Sequence, residues 1–321
     1  MPESRRSPPA CWKIGPRRRF STHPLQARLT SLTPKYDRRV AWICASFGHG
    51  AQQEKTGIEV VSAPPSAVGR ADEEQVMKVA GSIALVTGAN RGLGLAFART
   101  LLEMGAVTVY AAARKPEAVT LRGVVPLKLD ITNDEDVSAA VRAAGDIDLL
   151  VNNAGIARPG SFLAEGAVEA AREHFEVNFV GPLRMARAFA PVLARNGGGA
   201  IVNVLSVTSW MSGPLLATYG ASKSAAWALT NGLRIELAGQ GTSVVGLHAG
   251  FIDTDLTRDI DAPKSSPEAV ARTTLEALER GEWEVLADEI TRQVHLGLSA
   301  DHPIYFQTIA AVRANAGLPA Q

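Results

Sequence analysis

Tyr219 and Lys223 stand four residues apart in a chain of 321. The stretch Ser222 to Leu237 has helical character, with Ala226, Leu229, Leu233 and Leu237 on one face. At the start of such a helix, residues four apart share a face. A phenol with a reference pKa of about 10 is poorly matched to neutral pH. An ammonium beside it favours the phenolate and is expected to draw that pKa down. Such a tyrosine can give a proton to a carbonyl oxygen or take one from an alcohol. Ser206 ends the apolar strand Ala200–Leu205, thirteen residues before Tyr219. Its hydroxyl can hold a substrate oxygen and stabilise charge developing there. Singly, each residue has a plainer reading: an amphipathic surface tyrosine, a solvated lysine, a strand-end cap.

The elements that position these residues begin at Ser82-Ile83-Ala84-Leu85-Val86, an apolar run typical of a strand buried on both faces. It leads into Thr87-Gly88-Ala89-Asn90-Arg91-Gly92-Leu93-Gly94, and a helical stretch from Leu95 to Met104 follows, closed by Gly105. Glycines at a strand-to-helix turn let backbone approach a pyrophosphate, and amides at the helix start face the phosphates. The spacing is Gly-x-x-x-Gly-x-Gly, which alone also fits a plain tight turn.

The second strand, Val107–Ala111, runs into Ala112-Ala113-Arg114-Lys115. An enzyme preferring NAD(H) is expected to place an acidic residue here for the ribose hydroxyls. Cations stand there instead, and Arg114 and Arg91 can both fork onto a 2′-phosphate. This predicts NADP(H) over NAD(H); the alternative is that Arg114 and Lys115 are a solvated surface pair. Asp130, with Ile131 beside it, ends the next strand and can accept from an adenine amino group. Ile147–Val151 runs into Asn152-Asn153-Ala154-Gly155, pointing at the same crevice beyond the strand ends.

Together, Thr87–Gly94, Asn152-Asn153-Ala154-Gly155, Asn178, Ser206 and Tyr219-Gly220-Ala221-Ser222-Lys223 resemble the short-chain dehydrogenase/reductase family in order and spacing. The resemblance covers about residues 80–290. It implies an α/β fold, a single Rossmann-type doubly wound parallel sheet with helices on both faces. It implies that Lys223 also bonds the nicotinamide ribose, and that Asn178 helps hold a water linking Lys223 to solvent. Gly250, Ile252 and Thr254 fit positions at the nicotinamide end. Ala249 replaces the family's usual proline, so a looser loop is expected there. Leu205 stands where a second serine is frequent. The helices around Pro182–Arg195 and Ser222–Leu237 resemble those that pair between subunits, so a homodimer or homotetramer is expected.

Trp210, Met211, Leu215, Leu216 and Phe251 flank the catalytic candidates and are expected to line an apolar substrate pocket, with Trp210 and Phe251 touching substrate. The small-molecule substrate is expected to be a carbonyl or an alcohol. Residues 255–266 are expected to form a partial lid, followed by a helix from Pro267 to about Arg280. Two alternatives stay open: an NAD-linked alcohol oxidiser of the same fold, and a binding protein sensing NADP(H) without catalysis.

Net charge is +1, and the hydrophobic fraction of 46% suits a sizeable core. Neither nucleic acid nor a membrane surface is indicated. Residues 1–53 nevertheless hold ten basic and two acidic residues, against 23 and 30 in the remainder. Residues 1–76 are rich in Arg, Ser and Pro and predict a disordered extension. The favoured reading makes it dispensable, with Met77 opening the functional domain 77–321; a targeting segment or an interaction tail are the alternatives. A cytoplasmic location is expected. Both cysteines, Cys11 and Cys44, lie in the extension, so the domain holds no disulfide or thiol nucleophile. His174, His248 and His295 lack metal-ligand spacing and read as packed or surface residues; no metal is expected.

Overall fold

A computed structural model describes residues 77–213, 215–300, 303–306 and 309. The N-terminal extension 1–76 and its expected disorder lie outside the described residues. Among the described residues seven strands form one parallel sheet: β1 (Ile83–Thr87), β2 (Thr108–Ala113), β3 (Val125–Lys128), β4 (Leu149–Asn152), β5 (Ala200–Val204), β6 (Ser243–His248) and β7 (Glu284–Leu286). Their order is β3-β2-β1-β4-β5-β6-β7. The chain therefore moves outward from β1 through β3, then returns to lay β4 on its other side. That reversal opens a crevice beyond the carboxyl ends of β1 and β4.

Among the described residues seven helices cover the sheet: α1 (Gly92–Glu103), α2 (Asp134–Ala143), α3 (Ala167–Phe175), α4 (Gly181–Arg195), α5 (Ala217–Leu237), α6 (Pro267–Glu279) and α7 (Glu289–Gly297). Alternate strand residues face opposite ways, so each strand feeds two cores. Ala84, Val86, Val151 and Val202 pack with Phe97 and Leu101 of α1 and Leu275 of α6. Leu85, Leu150 and Ile201 pack with Met185 and Phe189 of α4, Val137 of α2 and Leu233 of α5. The sheet is thus doubly wound, as the resemblance implies. Short central strands read as continuous apolar runs because both faces are buried.

Boundaries differ from the sequence expectations at informative places. The second strand is shifted toward the carboxyl end, Thr108–Ala113, because Val107 lies at the surface. Helix α5 begins at Ala217, so Tyr219 itself is helical. Strand β7 was not anticipated; three residues are too few to show a period. Near the start of the described chain, Val79 is fully buried and its N–H donates to Glu279 at 2.9 Å.

Candidate active site

The turn after β1 is built to bring backbone close. Gly88 and Gly92 hold φ of +67° and +53°, where a side chain is strained. A Cβ on Gly94 would lie 2.2 Å from the Gly88 carbonyl oxygen, so only glycine lets α1 start against this turn. No side chain caps the amides at the start of α1, whose N-cap position is Arg91. These amides are the groups that suit a phosphate. Leu93 is buried beneath them, and Asn90 is partly buried.

Thr87 and Asn153 spend their polar atoms stitching β1 to β4. The Thr87 hydroxyl accepts from the amides of Asn153 and Ala154, both at 3.0 Å, and donates to the Val151 carbonyl. Asn153 Nδ2 donates to the Thr87 carbonyl at 2.8 Å. They shape the floor of the crevice through the backbone. Ala154 packs against the adjoining core, and Gly155 leaves room for Asn178, whose Oδ1 would sit 3.1 Å from an added Cβ.

Arg114 is exposed just past β2, and its charge reaches Asp130. Burial pushes the Asp130 carboxyl up, but the Thr132 amide and hydroxyl together with Arg114 and Arg184 outweigh it and hold it below its ordinary value. Asp130 Oδ1 accepts from both Thr132 groups. Ile131 is buried, and its carbonyl accepts from Arg184 at 2.9 Å. Arg91 is exposed and pairs with Asp255 at 3.4 Å. Asp255 also pairs with Arg258.

Asn178, Ser206, Tyr219 and Lys223 converge beside this crevice. Asn178 lies in a π-helical turn, Glu176–Val180, between α3 and α4. One extra residue in the turn re-aims the side chain inward. Its amide accepts from the Ile156 N–H at 2.9 Å, and donates to the Ile156 carbonyl at 2.9 Å and to Ser222 at 3.0 Å. Ser206 follows β5; its Oγ accepts from the amide and hydroxyl of Thr208 at 3.1 and 3.0 Å. Lys223 is buried, and its Nζ donates to the Val204 carbonyl at 2.7 Å, 5.8 Å from the Tyr219 ring centre. Helix α5 is registered against the sheet by a buried chain in which Asn152 donates to Asn203 and Asn203 to Thr230.

The expectation that Lys223 draws the Tyr219 pKa down is overturned. Burial pushes the phenol up to about 12, with the neighbouring Ser206 hydroxyl opposing. Burial also pulls Lys223 down to about 8. Lys223 is buried and Tyr219 partly buried, and for each the leading influence is loss of solvation of the charged form.

Trp210 does not stand free at a pocket wall. Its ring stacks on His248 at 3.8 Å between centroids, and its indole Nε1 is buried without a partner. His248 Nδ1 lies 3.2 Å from the Ser206 carbonyl, beneath the serine. Leu215 and Leu216 instead face the segment after Gly155: the Gly160 amide donates to Leu215, and the Ala217 amide to Gly160. Phe162 and Leu163 of that segment are exposed apolar residues that the sequence reading passed over. Met211 is partly buried.

The loop after β6 is held from both sides, contrary to the looseness expected from Ala249. The Ala249 carbonyl accepts from the Val207 amide at 2.9 Å, and the Gly250 amide donates to Asp288 at 2.6 Å. Asp288 also caps α7, a double role that no motif announced. A Cβ on Gly250 would meet Ile290 at 2.6 Å. Phe251, Ile252 and Asp253 pair with Ser265, closing the intervening residues into a loop. Thr254 comes close to Gly92: a Cβ there would lie 3.3 Å from its methyl.

The short chain dehydrogenase family pattern matches residues 82–265. The chain belongs to the short-chain dehydrogenase/reductase family. It is an oxidoreductase acting on CH–OH or C=O groups, with a Rossmann-type nucleotide-binding fold. A short-chain dehydrogenase from Burkholderia cenocepacia, solved in complex with NADP, is 42% identical with a TM-score of 0.69 and covers 76% of this chain and 100% of its own. The 3-ketoacyl-(acyl-carrier-protein) reductase from Brucella melitensis, complexed with NADH, is 28% identical with a TM-score of 0.59, covering 65% and 97%. The 1-deoxy-11-beta-hydroxypentalenate dehydrogenase of Streptomyces exfoliatus is 36% identical over 216 residues, 61% of this chain and 78% of that one. No described helix is long and apolar enough to cross a membrane. Among the described residues no group of three His, Cys, Asp or Glu could hold a metal.

Proposed function

We propose that this short-chain dehydrogenase/reductase interconverts a carbonyl and an alcohol with NADP(H), using Tyr219 as proton donor and acceptor. The observation that carries this is the convergence of Ser206, Tyr219 and Lys223 beside uncapped amides at the start of α1. The glycine turn fits a dinucleotide, since Gly88 and Gly92 hold positive φ and no side chain caps the amides at the start of α1. Gly88, Asn90, Arg91, Gly92 and Leu93 would cradle the pyrophosphate, Arg114 the 2′-phosphate, and Asp130 and Ile131 the adenine. Lys223, Gly250, Ile252 and Thr254 would hold the nicotinamide end. A bound nicotinamide dinucleotide supplies or accepts the hydride.

This chain's own part is the proton and the oxyanion. Ser206 would donate to the substrate oxygen. Tyr219, kept neutral by burial, would give its proton to the same oxygen as charge develops. An apolar substrate is the class we favour, from the apolar residues Met211, Leu216 and Phe251 that flank the catalytic residues in the sequence. The apolar groove between α4 and α5, lined by Phe179, Leu183, Ala228 and Leu229, supports a dimer or tetramer. Residues 77–321 would form the functional domain of a cytoplasmic enzyme.

Following the oxidation of NADPH and NADH with a panel of aldehydes, ketones and quinones tests the reading. Turnover with NADPH at least ~10-fold more efficient than with NADH supports it, a ratio worth about 1.4 kcal/mol. A second reading, NAD(H), is favoured by the Arg91–Asp255 pair, which competes for one of the two phosphate-binding cations.

A further inference from the structure

His174, on α3, is a fully buried imidazole beside the candidate active site, with no exposed surface. Its Nε2 accepts from the Arg158 amide at 3.0 Å. A backbone amide can only donate, so Nε2 carries the lone pair and Nδ1 the hydrogen. Nδ1 therefore donates to the Thr218 hydroxyl, also at 3.0 Å. Thr218 directly precedes Tyr219, and the imidazole meets the Tyr219 ring edge-on, 6.1 Å between centroids.

The arrangement repeats one turn along. Asn178 is four residues after His174, and Ser222 is four after Thr218. Asn178 joins Ile156 to Ser222 as His174 joins Arg158 to Thr218. Two parallel rungs thus tie the 156–158 segment to the first turns of α5. The Asn178 rung lies at the lysine side and the His174 rung at the tyrosine side.

We propose that neutral His174 is a positioning residue for Tyr219, fixing the phenol and the substrate-side segment after Gly155 in one register. Protonation puts a hydrogen on Nε2, where the Arg158 amide already points, and the rung breaks. The charged groups facing the imidazole are Arg158 and Glu173, paired with each other at 2.6 Å; α5 presents Thr218 and Tyr219. Burial, then Arg158, hold the imidazole below its ordinary 6.5, with Glu173 opposing. The neutral form prevails at neutral pH, and the register is lost on acidification below that value.

The inference rests on Tyr219 being the proton donor, which Tyr219→Phe tests separately: wild-type turnover in that variant overturns the reading of the site itself. The test of His174 measures kcat against pH, cofactor Kd and thermal midpoint for His174→Leu and His174→Gln. Leucine removes both bonds, and kcat should fall ~10-fold with cofactor Kd changed less than ~2-fold. Glutamine offers one acceptor and one donor without titrating. It should recover most of kcat and lack the wild type's acid-side loss. If His174→Leu does not fold, the glutamine variant decides alone. An unchanged acid limb in His174→Gln overturns the proposal. So does wild-type kcat in a folded His174→Leu, or a kcat loss in both variants that merely follows their thermal midpoints.

Discussion

The Lys223 ammonium lies 5.8 Å from the centre of the Tyr219 ring and bonds the Val204 carbonyl at 2.7 Å, rather than the phenol. The two share a helix face but not a hydrogen bond. Lys223 reaches past the tyrosine toward the end of β5, where the nicotinamide ribose is proposed to lie.

Tyr219→Phe should remove the proton donor and leave the cofactor site intact. We expect turnover to fall by ~100-fold or more, the usual weight of a positioned general acid. Fluorescence titration should show NADPH affinity within about 2-fold of wild type, a fraction of RT.

Lys223→Met should stabilise the fold while abolishing turnover. Burial lowers the lysine pKa from 10.5 to about 8, so the folded state resists its charge. Below about 8 the full cost is present, and it fades as pH rises toward 10.5. Denaturant unfolding at neutral pH should show a gain on the order of 1–3 kcal/mol, reduced by the Val204 carbonyl left unpaired. The same comparison at about pH 10 should show most of the gain gone.

Arg114→Ala and Arg91→Ala should each weaken NADPH more than NADH. A lost charge-assisted contact predicts a ~10-fold rise in KM for NADPH, shrinking at high salt. Equal effects on both cofactors would assign the two arginines to surface charge alone.

Gly94→Ala places a methyl 2.2 Å from the Gly88 carbonyl oxygen. Helix α1 must then move off the turn. Thermal unfolding should show a loss of about 1–3 kcal/mol, with cofactor binding impaired beyond that loss.

Ala228→Glu puts a carboxylate into the groove between α4 and α5. If that groove is covered by a second copy, light scattering should report a smaller species than wild type. An unchanged mass would move the subunit contact elsewhere.

The chemistry-bearing residues were legible in the sequence because backbone needs fix their types and spacing. The turn Thr87–Gly94 needs glycine where φ is positive and where α1 touches the turn. The run Ile83–Val86 reads as a strand because both faces are buried. What one side chain does to another across the fold was not legible. His174 and Thr218 are 44 residues apart, as are Asn178 and Ser222, and nothing local marks either pair. The π-helical turn that aims Asn178 leaves no periodic signal. The sequence alone determined the strand–turn–helix of the dinucleotide site, the helix-face pairing of Tyr219 with Lys223, and the family. Tertiary structure decided that burial, and not the nearby ammonium, governs the Tyr219 pKa; that Trp210 stacks on His248; and that Asp288 holds Gly250. Each depends on which surfaces lose water together, a property of the packed chain that spacing along it does not carry.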